Sequence, residues 1–261
     1  MNTYSSGLKM NAENALKQQG EKEKQKDDKV VYMEITNISE DRLLRRFRND
    51  FVIREAEVKI NVGGKINTRL FCLPSHFEEL AIGHLKSEGL DPSYIANLGV
   101  EEANPWKYVI CVTLEREVHQ KPSKVNSRLK IGCEGVFKRV KELGEKGVLY
   151  KATGGTHVVA AFDQNGEGFF IEDVSRHCAI DKLIGTCIKH GIEITESVLL
   201  TSCRQTHSTM KKVIFAGFPI VISVSAPTEL AIRDAEKFGI TLVGFARDNG
   251  FNVYTNDWRI L

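Results

Sequence analysis

Apolar and polar positions change their rhythm twice along the chain, and each change marks a boundary. Residues 1–29 hold few apolar side chains and end in the mixed-charge run Glu21-Lys22-Glu23-Lys24-Gln25-Lys26-Asp27-Asp28-Lys29. Such a composition cannot bury enough surface to offset the entropy of ordering, which predicts a disordered or loosely helical tail. From Val30 the rhythm is that of strands: Val30 to Ile35, Glu57 to Val62 and Ile66 to Leu73, the last two joined by Gly63-Gly64, a dipeptide suited to the positive φ of a hairpin turn. Between His76 and Ser87 the residues Leu80, Ala81, Gly83, His84 and Leu85 recur at helical spacing, and Gly89 stands where a helix would stop. Tyr108 to Leu114 predicts another strand. The polar stretch Glu115 to Gly132, with Pro122 and five Lys or Arg residues, predicts a loop.

After Cys133-Glu134-Gly135 a short helix is expected to about Glu145, and a regular alternation then carries the rest of the chain. His157 to Phe162 and Gly168 to Ile171 form a hairpin signal around Asn165-Gly166. Helix Arg176 to His190, strand Val198 to Leu200, helix Thr206 to Ala216, strand Ile220 to Ser225, helix Thr228 to Phe238 and strand Ile240 to Phe245 follow in turn. Repeated strand-helix units predict a layered α/β sheet with its sites at the carboxyl ends of strands. The expected organisation, α+β overall, is a tail over 1–29, a smaller β-rich unit with one helix over 30–132, a mobile cysteine loop and short helix over 133–146, and a three-layer α/β domain over 147–261.

Composition changes this picture little. With 42% hydrophobic and 27% charged residues and a net charge of +2, the chain reads as globular, with no bulk field for nucleic acid. Apolar stretches such as Val213 to Val224 are interrupted and fall short of the roughly 20 residues of a membrane helix. The amino terminus lacks a secretory pattern, so a cytoplasmic location is expected. The cysteines at 72, 111, 133, 178, 187 and 203 include no Cys-x-x-Cys pair, which argues against a zinc knuckle or a metal-dependent hydrolase. Cys72, Cys111 and Cys187 sit among apolar neighbours and are expected in the core, whereas Cys133, Cys178 and Cys203 do not.

Candidate chemistry collects at strand ends. Gly154 and Gly155, ahead of His157, either let backbone approach a ligand or make a tight turn. Glu172 to Lys182 crowds seven ionisable groups into eleven positions. Arg176 and His177 there suit an anionic ligand or catalysis, but His177 and Asp181 share a helix face and one could orient the other, and Glu172-Asp173 could be a cap. Ser202, Cys203 and Arg204 lead into a helix whose start suits phosphate, with capping by Ser202 or Thr206 as the plainer role. Phe245-Ala246-Arg247-Asp248-Asn249-Gly250 ends a strand and suits a guanine or phosphate contact, or an ordinary turn.

The segments resemble the formate dehydrogenase accessory sulfurtransferases, the FdhD proteins, from about Glu55 to Leu261. The resemblance is carried by Glu78 to Gly89, Thr153-Gly154-Gly155-Thr156-His157, Glu172-Asp173-Val174 with Arg176-His177 and Asp181-Lys182, Ser225-Ala226-Pro227-Thr228, and Gly239 to Arg247 through Phe251-Asn252-Val253-Tyr254. It implies a cytidine-deaminase-like carboxyl-terminal domain without the zinc ligands of a deaminase. It also implies transfer of sulfur from a cysteine desulfurase to the bis-molybdopterin guanine dinucleotide molybdenum cofactor, for the formate dehydrogenase catalytic subunit. In such proteins a persulfide forms on a Cys-x-x-Cys loop; here Cys133 alone stands at that place, with Arg128 and Lys130 before it and Glu134 after it. The guanine site maps to Phe245 through Gly250, and GDP would mimic the cofactor. Ser175, Cys178, Cys203 and Ser208 depart from the usual glycine, asparagine, glycine and glutamate. The expectation is therefore a persulfide carrier using Cys133, a homodimer, with a non-catalytic cofactor-binding chaperone as the alternative.

Overall fold

The computed structural model describes residues 29–39, 44–64, 66–247 and 249–261. Of the tail expected over residues 1–29, all but Lys29 lies outside the described residues, as does Asp248.

The first unit begins with an antiparallel ribbon of β1 (Val30–Ser39) and β2 (Leu44–Ile53). Next come β3 (Ala56–Val62) and β4 (Ile66–Cys72), whose hairpin turns through Gly63 and Gly64 at φ 54° and 73°. Helix α1 (Phe77–Ser87), β5 (Ile95–Asn104) and β6 (Lys107–Leu114) complete it. The sheet order is β4-β3-β6-β5, with β3 and β6 parallel. Along β3 every second residue is buried, and α1 lays Leu80, Ala81 and Leu85 on Val58, Ile60 and Val62. Strands β2 and β5 have no counterpart in the sequence reading. Their faces are mostly exposed, so neither carries an apolar alternation.

Residues 115–132 form no helix or strand, as expected, but they do not all belong to the first unit. The Val125 N–H donates to the Phe238 carbonyl (2.9 Å) and that of Ile131 to Arg259 (2.9 Å), while Leu129 joins the second core. Helix α2 then runs over Cys133–Lys146. This corrects the expected cysteine loop, because Cys133 is the first helical residue after the N-cap Gly132. Its backbone N–H donates to the Leu261 carbonyl at 2.9 Å, a partner at the far end of the chain. A short helix, α3 (Val148–Thr153), follows.

The second unit contains β7 (His157–Phe162), β8 (Gly168–Asp173), α4 (Arg176–Lys189), β9 (Val198–Thr201), α5 (His207–Ala216), β10 (Ile220–Ser223), α6 (Glu229–Phe238), β11 (Thr241–Arg247) and β12 (Gly250–Thr255). Its six strands lie in the order β12-β11-β10-β9-β7-β8, with β9, β10 and β11 parallel. One apolar cluster fills the face under α4, α5 and α6, and a second fills the face under α2. The expected three-layer α/β arrangement is present. No helix among the described residues is long and apolar enough to cross a membrane.

The two units meet along α1 and α4. A Cβ on Gly83 would overlap the Asp181 carbonyl oxygen, and one on Gly185 would overlap that of Glu79. The two helices therefore touch backbone to backbone. Beneath this contact the buried Asp181 carboxylate accepts from Lys212 Nζ (2.8 and 2.7 Å) and Ser87 Oγ (2.6 Å), and meets His84 Nδ1 at 3.4 Å. Burial opposes its charge, but Lys212 and His84 outweigh that and hold the carboxyl below its ordinary range. Nearby Lys182, with no exposed surface, donates to Asp173 Oδ2 (2.5 Å) and the Leu73 carbonyl (2.7 Å). Lys182 thus ties α4 to the end of β4.

Gly83→Ala should therefore lower the unfolding free energy by about 3 kcal/mol, since the overlap is with backbone and cannot be relieved by a rotamer. Gly144→Ala, on the exposed side of α2 with open space around it, should instead raise it by about 0.5–1 kcal/mol through helix propensity. Urea denaturation of both variants checks the pair.

Candidate functional site

The carboxyl ends of β8, β9, β10 and β11 and the start of β7 share one edge of the large sheet, as their register requires. The loops after β9 and β10 are fastened to each other there. The Ser202 N–H donates to the Val158 carbonyl, the Val158 N–H to Ser202 Oγ, and Ser225 Oγ to the Ser202 carbonyl, each at 2.9 Å. The Ser223 hydroxyl donates to the Cys203 carbonyl (2.8 Å), and the Thr228 N–H to that of Gln205 (2.8 Å). Ser202 therefore fixes β7 against β9. Of the two capping candidates, Ser202 and Thr206, it is Thr206 that caps the helix, in a capping box with Thr209.

His157, Arg176 and Arg204 come together on this edge. His157 is held below its ordinary pKa, first by burial, then by the Arg176 guanidinium and to a lesser degree by Arg204, with Asp173 opposing. Arg176 Nε is buried without a hydrogen-bond partner among the described residues, and Arg204 is exposed. Two guanidiniums beside a neutral imidazole make an edge suited to a phosphate.

At β11 the backbone departs from regular pairing between Gly244 and Arg247. Phe245 adopts φ 54°, which costs a bulky residue of the order of 1–3 kcal/mol, and its N–H donates to the Ser225 carbonyl at 3.2 Å. This turns the ring outward, 41% exposed, beside the loop that carries Ser225. A side chain on Gly244 would meet Pro227 Cδ at 2.8 Å, so glycine lets that loop approach. Ala246 is buried; Arg247 and Asn249 are exposed and Gly250 half-buried at the hairpin tip.

Other expected groups stand apart. Gly154 is the left-handed C-cap of α3, at φ 69°, and a Cβ on Gly155 would lie 2.6 Å from Ile53 Cγ2, so turn and packing account for both glycines. His177 faces away from the sheet edge, into a groove between the two units. Asp181 does not orient it, being engaged by Lys212, Ser87 and His84. Cys133 lies on the α2 face of the sheet. Its exposure agrees with the sequence reading, but Cys178 and Cys203 are buried and Cys111 is exposed, the reverse of expectation. Burial pushes the Cys203 thiol up to about 11 and that of Cys187 to about 12. Cys178 rises too, chiefly through its contact with Cys72 and through burial. Sequence reasoning missed Gln205, whose Oε1 is buried without a partner among the described residues, and the fastening roles of Ser223 and Ser225. The available signal was a small polar residue directly after a buried strand.

The sequence profile of the FdhD/NarQ family matches residues 108–261, more than half of the chain. This chain belongs to that family. It is 31% identical to the sulfur carrier protein FdhD of Methanothermobacter thermautotrophicus, over 83% of this chain and 94% of that one. To the sulfur carrier protein FdhD of Bacillus subtilis it is 32% identical, over 81% and 90% of the two. A crystal structure from Desulfotalea psychrophila, described as that of a formate dehydrogenase accessory protein, superposes with a TM-score of 0.77 at 23% identity, covering 89% of this chain and all of the other. That likeness shows a shared fold.

Within this FdhD/NarQ chain His76, His157 and His177 all lie below the ordinary value of 6.5, burial being the largest cause at each. Between their folded values and 6.5 the unfolded chain binds more protons, so these groups add stability as pH rises through that window and lose it as pH falls. Arg176→Met removes a charge that lowers both His157 and His177. Their NMR titration midpoints should both move up and the acid loss of stability should shrink; unmoved midpoints would show that Arg176 does not act on them.

Proposed function

We propose that the chain is a sulfur carrier in the maturation of formate dehydrogenase. It takes sulfur from a cysteine desulfurase onto Cys133 and passes it to the bis-molybdopterin guanine dinucleotide molybdenum cofactor before insertion into the catalytic subunit. The observation that carries the reading is the exposed Cys133 thiol at the start of α2, in a chain whose Cys72, Cys178, Cys187 and Cys203 are all buried. The name borne by its relatives supports it. In the loading step the Cys133 thiolate attacks the outer sulfur of the donor persulfide, and the donor leaves as a thiolate. For the cargo, Arg176 and Arg204 suit the phosphates, the outward Phe245 ring suits a guanine face, and Arg247 and Asn249 suit its polar edge. We read the carboxyl-terminal layers as the cytidine-deaminase-like arrangement, and the protein as a cytoplasmic homodimer.

One observation favours a second reading, a cofactor-binding chaperone without sulfur transfer. The Cys133 N–H is bonded to Leu261, and its helix covers the face opposite α4–α6, so delivery requires the first turn of α2 to leave that bond.

Incubation with a cysteine desulfurase and cysteine should add one sulfur to the wild type and to Cys111→Ala, but none to Cys133→Ala, as read by intact mass. GDP affinity should fall about tenfold in Phe245→Ala or Arg204→Ala, the loss of about 1.4 kcal/mol expected for one stacking or charged contact. A wild type that gains no sulfur yet binds GDP would leave the chaperone.

A further inference from the structure

Two thiols meet where β4 ends and α4 begins. Cys72 closes β4 in the first unit, Cys178 stands in the first turn of α4 in the second, and both lie in one apolar cluster, 0% and 1% exposed. Contact with the Cys72 thiol acts on the Cys178 proton more strongly than burial does. Bonds on either side of Cys72 fix this meeting. Cys178 Sγ donates to the Phe71 carbonyl at 3.7 Å. The Leu73 N–H donates to both Asp173 oxygens, each at 3.3 Å, and the Leu73 carbonyl accepts from Lys182 Nζ at 2.7 Å. Lys182 lies one helical turn beyond Cys178 on the same side of α4. The chain before and after Cys72 is therefore held against the part of α4 that carries Cys178. A disulfide needs that arrangement: backbones fixed close together, with the two sulfurs already in contact.

A groove of about 550 Å³ between the two units is bordered by Phe71 and Cys178, while Cys72, with no exposed surface, lies behind them. A small oxidant entering the groove meets Cys178 first. We propose that Cys72 and Cys178 are a redox-active pair that hydrogen peroxide converts into a disulfide joining the two units. The Cys178 sulfur attacks one peroxide oxygen and gives up its proton; the O–O bond breaks, leaving a sulfenic acid on Cys178 and one water. The Cys72 sulfur then attacks the sulfenic sulfur, the S–O bond breaks, and hydroxide leaves with the Cys72 proton as a second water. The pair loses two electrons and the peroxide gains them; a dithiol reductant reverses the bond. Because contact and burial hold the Cys178 proton, the pair reacts more slowly than an exposed thiol. It is separate from Cys133 and from the sheet edge, and its chemistry does not depend on the sulfur-carrier reading. Once formed, the bond ties β4 to the first turn of α4, beside Arg176 and His177, and removes freedom from the unfolded chain over the long loop between the two cysteines.

The test exposes the full chain, reduced and freed of reductant, to hydrogen peroxide while folded. Remaining thiols are then blocked in acid and the chain is cut with trypsin. Peptides 70–86 and 177–182 each hold one cysteine of the pair. They should be recovered joined, two hydrogens lighter than their sum, after the thiols of Cys111 and Cys133 have been consumed, and apart again after dithiothreitol. In the Cys111→Ala/Cys133→Ala double variant, which removes the exposed thiols, peroxide should raise Tm by at least about 5 °C, the scale of closing so long a loop. Adding Cys72→Ala or Cys178→Ala should abolish both the joined peptide and the rise. Should either substitution fail to fold, the wild-type peptide map decides alone. Peptides left unlinked once Cys111 and Cys133 are fully oxidised would overturn the pair. So would a link formed only in urea, a link from either cysteine to a third, or an equal rise in Tm without Cys72.

Discussion

Backbone contact between α1 and α4 at Gly83 and Gly185 sets the geometry on which the rest of the molecule depends. Helix α4 belongs to the core of the second unit, yet Cys178 at its start is also part of the core of the first. With no side chain at the crossing, the helices come close enough for one carboxylate, Asp181, to be reached at once from α1 through Ser87 and His84 and from α5 through Lys212. A buried ionised carboxylate is tolerated only with such complete pairing, and removing one partner would leave an uncompensated charge. The network thus fixes position more than it adds stability. It sets the rotation of α4 about its axis, and so where the residues of its first turn point.

Those residues divide the labour. Arg176 reaches the sheet edge, where it acts on His157, while His177 enters the groove between the units. The sheet edge is the more strained of the two, since Phe245 holds a left-handed backbone to put its ring outside. Strain of that kind persists only where surrounding bonds over-determine it, and the Ser225 carbonyl together with the close approach permitted by Gly244 supplies that constraint. Thiol chemistry is kept off this edge. Cys203, which stands there, is buried and protonated, whereas Cys133 is presented on the opposite face of the sheet.

The sequence made the repeating strand-helix pattern of the second half legible because its strands are buried runs and its turns carry Gly or Pro. It hid whatever was decided by distant residues. The flanking glycines of Cys133 read as a loop, but the Val136 N–H closes a first helical turn on the Gly132 carbonyl, and the carbonyl that satisfies the Cys133 N–H belongs to Leu261, far along the chain. Gly154-Gly155 read first as a turn and second as a ligand approach, and the reason for the second glycine is Ile53, on a ribbon strand that has no apolar alternation to announce it. His177 and Asp181 share a helical face by spacing, yet Asp181 is taken by Lys212, 31 positions away. The strand-end residues were found because their position follows from topology, which periodicity reports; their partners were not, because a partner is a tertiary fact.

The two sides of the start of α4 are not electrostatically independent. Burial is the first reason that His157 and His177 hold protons weakly, and Arg176 adds to it at both, behind Lys212 at His177. One guanidinium thus acts on an imidazole at the sheet edge and on another in the groove between the units, so a change of charge at Arg176 is felt on both sides of the helix start through charge alone.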